Sequence, residues 1–397
     1  MTPFMNRRQF LTTTAAAGFA LSADAADSEA RLRVAVIGHT KRGNYGHGID
    51  AMWLQIPETE IIAVADADAA GLAGALKRLK VSNGFADYRK MLAESKPDIV
   101  AVAPRFVDEH RDMLIAAIES GARGIYVEKP FCRTPAEADE VLAACEKRKV
   151  KIAVAHRNRY HPVLPVLQKL IAEDGIGRVL EFRARGKEDQ RGGSLDLWVL
   201  GSHLLGLVTV FTGKPLACSA TVLQDGRLAT KADVKEGDEG VGPLAGNEVH
   251  ARFETEHGIP LFFDSVKGAG SAAAGFGIQI IGTKGIIDLR ADSEPLAHLL
   301  AGSPFVPAKD ARAWVPITSA GVGQPESIGD ISKMMAAHLL PARDLIAAMR
   351  EDREPLCSAR DGATTVEMIC SVFESHRLGG LRVGLPMKAR GNPFEML

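Results

Sequence analysis

The segment Val127-Glu128-Lys129-Pro130-Phe131 places an ammonium group directly after a short apolar run. That run, residues 124–127, is typical of a buried strand, and in an open α/β sheet ligands bind at the carboxyl edge of the strands. The proline ends the strand and fixes the backbone. We therefore expect Lys129 to be held over a crevice, where its charge could polarise a carbonyl group.

His203 is the second residue that could do chemistry, and it lies in the apolar stretch 197–211. A histidine titrates near neutrality, so it can take a hydroxyl proton while a neighbouring cation stabilises the developing oxyanion. Without Lys129 nearby, a histidine on an apolar helix would more simply be a core residue. The stretch is shorter than the roughly 20 residues of a membrane span, and we interpret it as a buried helix.

The turn after the first apolar run reads Gly38-His39-Thr40-Lys41-Arg42-Gly43-Asn44-Tyr45-Gly46. It keeps the first and third glycines of Gly-x-Gly-x-x-Gly, with Thr40 at the middle position, so its amides could cradle a pyrophosphate. The next apolar run ends at Asp66, whose carboxylate can bind both ribose hydroxyls and repels a 2′-phosphate. This favours NAD; Arg42 keeps NADP as an alternative, and Asp66 could instead cap a helix.

The elements around these residues alternate. Predicted strands cover residues 34–37, 61–65, 98–102, 124–127 and 151–155, and predicted helices cover 46–55, 69–80, 108–119 and 135–147. Short apolar strands alternating with amphipathic helices indicate a doubly wound parallel sheet. The fold class is therefore α/β, with an N-terminal Rossmann domain at residues 31–155.

The pattern changes in residues 156–397, where helices at 163–173 and 200–210 accompany a series of strands. The predicted strands are 179–185, 218–223, 249–255, 259–266, 276–281 and 285–289. This order predicts an α+β substrate and oligomerisation domain with a large, mostly antiparallel sheet. Residues 291–330 are rich in Pro, Gly, Ser and Ala and are interpreted as a long surface excursion, before helices at 332–350 and 362–376.

Composition excludes several classes of protein. The net charge of −1 gives no basis for binding nucleic acid or an acidic membrane surface. Five scattered cysteines show neither a disulfide framework nor the spacing of a metal site, so we expect no metal. The hydrophobic content of 46% suits two domains with their own cores.

The amino terminus predicts export. Asn6-Arg7-Arg8-Gln9-Phe10-Leu11 precedes a mildly apolar run and the small-residue site Ala23-Asp24-Ala25. This is the order of a twin-arginine signal peptide, here residues 1–27, and predicts a periplasmic protein. The absence of a cysteine near the cleavage site argues against a lipid anchor, and the apolar run is too short to span a bilayer.

From Arg31 to about Pro393 the chain resembles the glucose–fructose oxidoreductase, inositol dehydrogenase and rhizopine-catabolism (Gfo/Idh/MocA) family. The matching motifs are the Gly38 turn, Asp66, Ala103-Pro104 with His110, Glu128-Lys129-Pro130, Arg159-Tyr160-His161-Pro162, Gly201-Ser202-His203, residues 276–285 and Glu374-Ser375-His376. The resemblance implies NAD(P)-dependent oxidation or reduction of sugars and polyols. It also implies a homodimer or homotetramer formed through the open face of the second sheet.

The resemblance makes Lys129 and His203 the catalytic pair. Cofactor-binding residues are then Gly38, Thr40, Arg42, Gly43, Asp66, Pro104, Glu128 and Lys129, and substrate-binding residues are His156, Arg159, Tyr160 and Lys187. Relatives often carry acids where this chain has Val199 and Gly206. Asp196 could replace them as the orienting carboxylate, or could be a turn residue, and Arg105 stands where many relatives have a small polar residue.

The leading hypothesis is an exported NAD(P)-dependent oxidoreductase acting on a CH–OH group of a sugar, glycoside or polyol. One alternative is an NAD-dependent glycosidase that oxidises its substrate transiently and eliminates the aglycone. Another is a non-catalytic exported sugar-binding protein on a dehydrogenase scaffold, which the lost acids motivate. Since no soluble NAD pool is expected outside the inner membrane, the cofactor is predicted to be tightly bound.

Overall fold

The first domain is built on a parallel sheet of six strands. The computed structural model describes residues 30–270 and 275–397, so the predicted export signal lies outside the described residues. In chain order the strands are β1 (Leu32–Ile37), β2 (Thr59–Ala65), β3 (Gly84–Phe85), β4 (Ile99–Val102), β5 (Gly124–Val127) and β6 (Lys151–Val154). They lie in the order β3-β2-β1-β4-β5-β6, which confirms the predicted Rossmann sheet.

Helices flank this sheet, but the first predicted helix is wrong. The helices are Ala69–Leu79, Tyr88–Ser95, His110–Glu119 and Pro135–Arg148. Residues 46–55 instead form turns followed by a 3-10 helix at Ala51–Gln55. Gly43, Gly46 and Gly48 have positive φ angles of 85°, 63° and 84°, a conformation that interrupts an α-helix and that glycine adopts without steric cost.

The second domain contains a mixed, mostly antiparallel sheet, as predicted. Among the described residues its strands run across the sheet in the order Gly321–Val322, Val315–Thr318, Ala297–Ala301, Gly285–Arg290, Gly277–Gly282, Val179–Arg185, Leu261–Val266, Glu248–Thr255, Pro215–Gln224 and Val383–Gly384, with Arg227–Leu228 paired to Pro215–Gln224. The pair Val179–Arg185 and Leu261–Val266 is parallel. A separate two-stranded ribbon joins Lys235–Glu236 to Pro243–Leu244.

The stretch 291–330 is not simply a surface excursion. It contributes three strands, Ala297–Ala301, Val315–Thr318 and Gly321–Val322, that extend the sheet beyond Gly285–Arg290. These strands are short and interrupted by Gly and Pro, so their sequence carries little alternation. Pairing with an existing sheet edge, rather than local propensity, determines their structure.

Helices from the second half of the chain complete both domains. Val163–Ala172, Ser194–Thr212, Ile331–Ala336 and Ala359–Arg377 accompany Leu339–Glu351, which packs on β5 and β6 of the first sheet. Just before that helix, His338 Nδ1 lies 2.7 Å from the hydroxyl of Tyr126 in β5, and both side chains are buried. The carboxyl-terminal part of the chain therefore returns to the nucleotide-binding sheet.

Ser194–Thr212 is, among the described residues, the helix long and apolar enough to cross a membrane. Most of its side chains are buried within the protein, including Leu204, Leu205 and Val208. Its middle turn, Leu197–Gly201, is a π-helix. Such wide turns disturb the regular carbonyl pattern of an α-helix and are frequent at functional sites.

Candidate active site

Lys129 follows β5 directly and is buried, with 3% of its surface exposed. Its ammonium donates a hydrogen bond of 3.0 Å to the carbonyl oxygen of Val199, in the π-helical turn. Relatives often have an acid at this position of the helix, and here the backbone carbonyl holds the lysine instead. Burial lowers the pKa of Lys129, while the nearby carboxylates of Glu128 and Glu239 raise it.

His203 lies one turn after Val199 on the same helix and is also buried. Its ring packs edge-on against His156, which follows β6, with 5.4 Å between the ring centroids. Among the described residues, both ring nitrogens of His156 and Nδ1 of His203 have no hydrogen-bond partner. Burial, and then the charge of Lys129, lower the pKa of His203 to about 3. Burial also lowers the pKa of His156 well below its usual value, so both histidines are neutral at pH 7 and able to bind a ligand.

Glu128 anchors the lysine from the side of the first domain. Its carboxylate is fully buried and accepts hydrogen bonds from the backbone amides of Lys129, at 2.9 Å, and His47, at 2.8 Å. The His47 ring lies 2.6 Å from the same carboxylate. Burial would raise the pKa of Glu128, but the His47 contact and the charge of Lys129 hold it below its usual range. Glu128 thus stays ionised and fixes the backbone at Lys129.

The other end of the cleft lies at the carboxyl ends of β1 and β2. A cavity of about 210 Å³ opens there, lined by residues that include Gly38, Asp66, Asp87 and Tyr88. Its position at the carboxyl edge of the sheet, beside the topological switch point between β1 and β4, suits the adenosine end of a dinucleotide. Together with the partnerless nitrogens of His156 and His203, it makes the residues present compatible with a bound dinucleotide.

Asp66 is buried and already has several hydrogen-bond donors from the protein. Its carboxylate accepts bonds from the Thr40 amide at 3.1 Å, the Thr40 hydroxyl at 2.6 Å and the Tyr45 hydroxyl at 2.9 Å. The amide of Asp68 adds a fourth donor at 3.0 Å. In this structure Asp66 therefore organises the Gly38 turn, and its predicted contact with a ribose requires exchange of these donors.

The turn is close-packed at both of the predicted glycines. A β-carbon at Gly38 would lie 2.2 Å from the Tyr45 ring, and one at Gly43 would lie 2.2 Å from the backbone nitrogen of Arg105. Arg42 points to the same region, with its guanidinium 2.5 Å from Asp108. The charge that kept NADP as an alternative is thereby paired within the protein.

Pro104, Lys187 and Asp196 are also among the predicted site residues. The Pro104 carbonyl lies 2.7 Å from His110 Nε2, which fixes the loop after β4. Lys187 is partly exposed, and its Nζ lies 3.9 Å from Oδ2 of Asp189. Asp196 is buried and accepts bonds from the Ser265 hydroxyl at 2.6 Å and the Glu188 amide at 2.9 Å; burial raises its pKa. Both partners, Ser265 and Glu188, belong to the second domain, and neither contact involves His203.

Arg159 and Tyr160 are bonded to other residues of the second domain. Arg159 donates to the carbonyl oxygens of Gly206 and Leu356, at 2.8 and 2.9 Å, and pairs with Asp361 at 2.9 Å. The Tyr160 hydroxyl accepts a bond of 3.2 Å from the amide of Cys357. These contacts hold the helices beneath the site and give both residues a structural role alongside their predicted contact with substrate.

Sequence reasoning missed Asp292, His47, Tyr45 and His338, all of which lie at or next to the site. Asp292 was missed because residues 291–330 were interpreted as a surface excursion. His47 was assigned to a helix that does not form, and Tyr45 was placed in the glycine turn without a role of its own. A signal was available for His47, since Asn44-Tyr45-Gly46-His47-Gly48 has too many glycines for a stable helix.

Within residues 30–270 and 275–397, no group of three or more His, Cys, Asp or Glu side chains could hold a metal ion. The five cysteines are buried, unpaired thiols.

Comparison with known proteins places this geometry in a family. Residues 32–156 match the Gfo/Idh/MocA family described as an oxidoreductase family with an NAD-binding Rossmann fold. Residues 168–385 match the C-terminal alpha/beta domain of the same oxidoreductase family. The two matched ranges cover most of the chain.

Individual relatives share only low sequence identity with this chain. D-apiose dehydrogenase of Paraburkholderia graminis is 24% identical over 342 residues, which are 82% of this chain and 84% of the relative. Levoglucosan dehydrogenase of Pseudarthrobacter phenanthrenivorans is 25% identical over 257 residues, 58% of this chain and 65% of the relative. The solved structure of a levoglucosan dehydrogenase with NADH and L-sorbose superposes with a TM-score of 0.70 at 21% identity, covering 90% of this chain and all of that one. The chain belongs to the Gfo/Idh/MocA oxidoreductase family, with an NAD-binding Rossmann domain followed by the family's C-terminal domain.

Proposed function

We propose that this protein is an exported NAD-dependent dehydrogenase that oxidises a CH–OH group of a sugar, glycoside or polyol. The observation that carries the proposal is the position of two buried side chains after β5. Lys129 donates to the carbonyl of Val199, one helical turn before His203, and His203 Nδ1 has no partner among the described residues. The names of the sugar dehydrogenases among the relatives support the choice of substrate class.

The chain's own residues have separate roles at the reacting carbon. Bound NAD would supply the hydride acceptor. His203, neutral at pH 7, takes the hydroxyl proton of the substrate. Lys129, oriented by the Val199 carbonyl and by Glu128, stabilises the oxyanion that develops as the hydride leaves. Burial of both side chains excludes water and strengthens these interactions.

The test is substitution of the pair. Lys129→Met and His203→Asn should each lower kcat by about 10²-fold or more, because each removes an interaction that strengthens in the transition state. NADH affinity, measured by fluorescence titration, should remain close to that of the wild type. Lys147→Met and His257→Asn change the same residue types at exposed positions and serve as controls. Wild-type turnover in the Lys129 or His203 variant would remove that residue from the mechanism.

Export and cofactor retention form the second part of the proposal. The twin-arginine pattern at residues 6–11 favours transport of a protein that has folded with its cofactor. The unpaired thiols are compatible with folding in a reducing compartment. Outside the inner membrane a lost cofactor would not be replaced, so the catalytic cycle must restore its redox state in place, by coupling two sugar half-reactions or by a redox-neutral elimination.

Retention is tested on the mature protein purified without added nucleotide. After desalting and denaturation, NAD(H) should be recovered at close to one equivalent per chain. Product analysis then separates the two cycles, since net oxidation of the sugar excludes the redox-neutral route. A cofactor-free protein that needs NAD supplied at micromolar concentration would contradict retention while leaving the dehydrogenase chemistry open to the first test.

A further inference from the structure

Four side chains join the glycine turn after β1 to the loop after β4. His39 Nδ1 lies 2.8 Å from the carboxylate of Glu109. Arg42 Nη2 donates a bond of 2.5 Å to Asp108, and Arg42 Nε lies 3.3 Å from the carboxylate of Glu109. We call His39, Arg42, Asp108 and Glu109 the clasp. All four are partly exposed, so the clasp lies at the surface of the crevice and not in the core.

The clasp lies across the path that a dinucleotide must take. The strand order β3-β2-β1-β4-β5-β6 puts β1 and β4 between the cavity at the end of β2 and Lys129 after β5. His39 and Glu109 are themselves part of the lining of that cavity. A dinucleotide with its adenosine in the cavity and its nicotinamide at Lys129 therefore passes the ends of β1 and β4. The clasp spans the part of the crevice through which its middle passes.

A segment of the second domain packs on the clasp. The two-stranded ribbon of that domain has its tip at residues 237–242, which bends through Gly240 with a φ of 71°. A β-carbon at Gly240 would lie 2.2 Å from Asp108 Oδ1, so the backbone of the tip touches this carboxylate. The ribbon tip therefore holds in place the acid that binds Arg42, and the clasp joins three parts of the chain.

The clasp is not fully bonded, which suits a set of contacts that opens. Asp108 accepts the Arg42 bond through Oδ2, while its Oδ1 is buried and has no hydrogen-bond partner among the described residues. Partly exposed ion pairs contribute little to stability, because water and salt screen them. The contacts can therefore cover the crevice when they are formed and still break during ligand exchange.

We propose that the clasp controls the rates at which the dinucleotide enters and leaves the crevice, and that the ribbon tip keeps it closed. This inference rests on the proposed function, in which the cofactor is retained, and gives that retention a kinetic basis. The clasp closes over the bound cofactor as it does over the free crevice, so it slows association and dissociation by the same factor. Affinity is then set by other contacts of the cofactor.

The first test removes the acid that contacts both His39 and Arg42. Glu109→Gln keeps the size of the side chain and removes its charge. Displacement of bound NADH by excess NAD gives koff, and NADH binding to nucleotide-stripped protein gives kon, both by stopped-flow fluorescence. Both rate constants should rise about fivefold, while their ratio changes by less than about twofold. Glu119→Gln, at an exposed position of the next helix, is the control and should change neither rate constant.

The second test opens the clasp from the ribbon. Gly240→Ala places a β-carbon against Asp108 and displaces the tip. Gly258→Ala makes the same change at a φ of 73°, where nothing lies within 4 Å, so it has the same backbone strain without the contact. Gly240→Ala should raise both rate constants about fivefold. Gly258→Ala should leave both at the wild-type values.

The direction of the two rate constants decides the outcome. Unchanged rate constants in Glu109→Gln and Gly240→Ala would overturn the inference. A higher kon with a lower koff in Glu109→Gln would also overturn it, because Glu109 would then only repel the pyrophosphate. A higher koff with a lower kon would do the same, since it describes the loss of an ordinary cofactor contact.

These measurements need no sugar, which separates the inference from the proposed function. Faster exchange in both variants of a protein that oxidises no sugar would support the clasp and contradict the dehydrogenase. Wild-type exchange in both variants of a protein that does oxidise a sugar would contradict the clasp alone. A wild-type protein that binds no NADH would contradict both.

Discussion

The two ends of the nucleotide cleft differ in how their buried polar groups are satisfied. At the adenosine end, the carboxylate of Asp66 is fully occupied by donors from Thr40, Tyr45 and Asp68. At the chemical end, His156 and His203 leave ring nitrogens with no partner among the described residues. Leaving a buried polar group unpaired costs about 1–3 kcal/mol. The protein therefore accepts instability at the reacting end and gains stability at the other.

This difference distinguishes residues that stabilise the fold from residues whose polar atoms are available to a ligand. Both sets are buried and both carry polar atoms, so burial alone does not distinguish them. Hydrogen-bond partners do. Tyr160 resembles Asp66 in this respect. Arg159 and Asp196 are intermediate, because Arg159 Nε and Asp196 Oδ1 have no partner among the described residues while their other polar atoms are bonded. Lys129 has a single backbone acceptor, and the ring nitrogens of His156 have no partner among the described residues.

The largest effect is expected at the satisfied end. Asp66→Asn replaces one carboxylate oxygen with an NH2 group, so the Thr40 and Tyr45 hydroxyls lose their charged acceptor and the free energy of unfolding should fall by up to about 3 kcal/mol. Urea denaturation measures it. Asp87→Asn, an exposed helix cap in the same cavity, is the control and should change stability by less than about 0.5 kcal/mol. An Asp66 variant as stable as the control would mean that Asp66 serves the ribose alone.

The second prediction concerns the effect of acid pH on stability, through the buried His338 beside strand β5. Burial lowers the pKa of His338 to about 4, whereas an unfolded histidine titrates near 6.5. Between these pH values the unfolded chain binds more protons, so the free energy of unfolding decreases as the pH falls below about 6.5. From pH 7 to pH 5 the loss from His338 alone should be about 2 kcal/mol.

The measurement is the free energy of unfolding at pH 7 and pH 5. His338→Asn keeps a side chain that suits the left-handed backbone, with φ of 55°, and should remove about 2 kcal/mol of the pH dependence. His257→Asn, at an exposed position, should leave the dependence as it is. Equal pH dependence in both variants would place the acid-sensitive groups elsewhere.

The smallest effect is expected at Arg42. Its guanidinium is paired with Asp108 and stacks on the Phe106 ring at 4.6 Å, so little of its charge is available to a 2′-phosphate. Arg42→Gln should change the ratio of NAD to NADP affinity by less than about threefold, which corresponds to less than about 1 kcal/mol. Competitive titration with NADP measures the ratio. A tenfold loss of NADP affinity would show that Arg42 leaves Asp108 when the cofactor binds.

The sequence predicts most of the framework of this fold and less of its site. β1, β2, β4, β5 and β6 were predictable because short apolar runs between helices have few alternative structures. The segment 46–55 was not, since its composition allows a helix while its glycines adopt positive φ angles. Lys129 and His203 were predictable from motif and context. Asp292 was not, because its position depends on a hairpin formed by pairing distant strands.

The bond between Tyr126 and His338 joins residues 212 positions apart in the chain. Strand β5, which carries Lys129 at its end, is therefore covered by a helix that is synthesised long after it. Chains fold from the amino terminus as they are made. The nucleotide-binding half can thus begin to form early, but Lys129 remains on an incompletely covered strand until residues 338–351 have been translated. Cofactor that binds before this point meets a site that is not yet enclosed, so the nucleotide-binding half is completed only by residues from the other half of the chain.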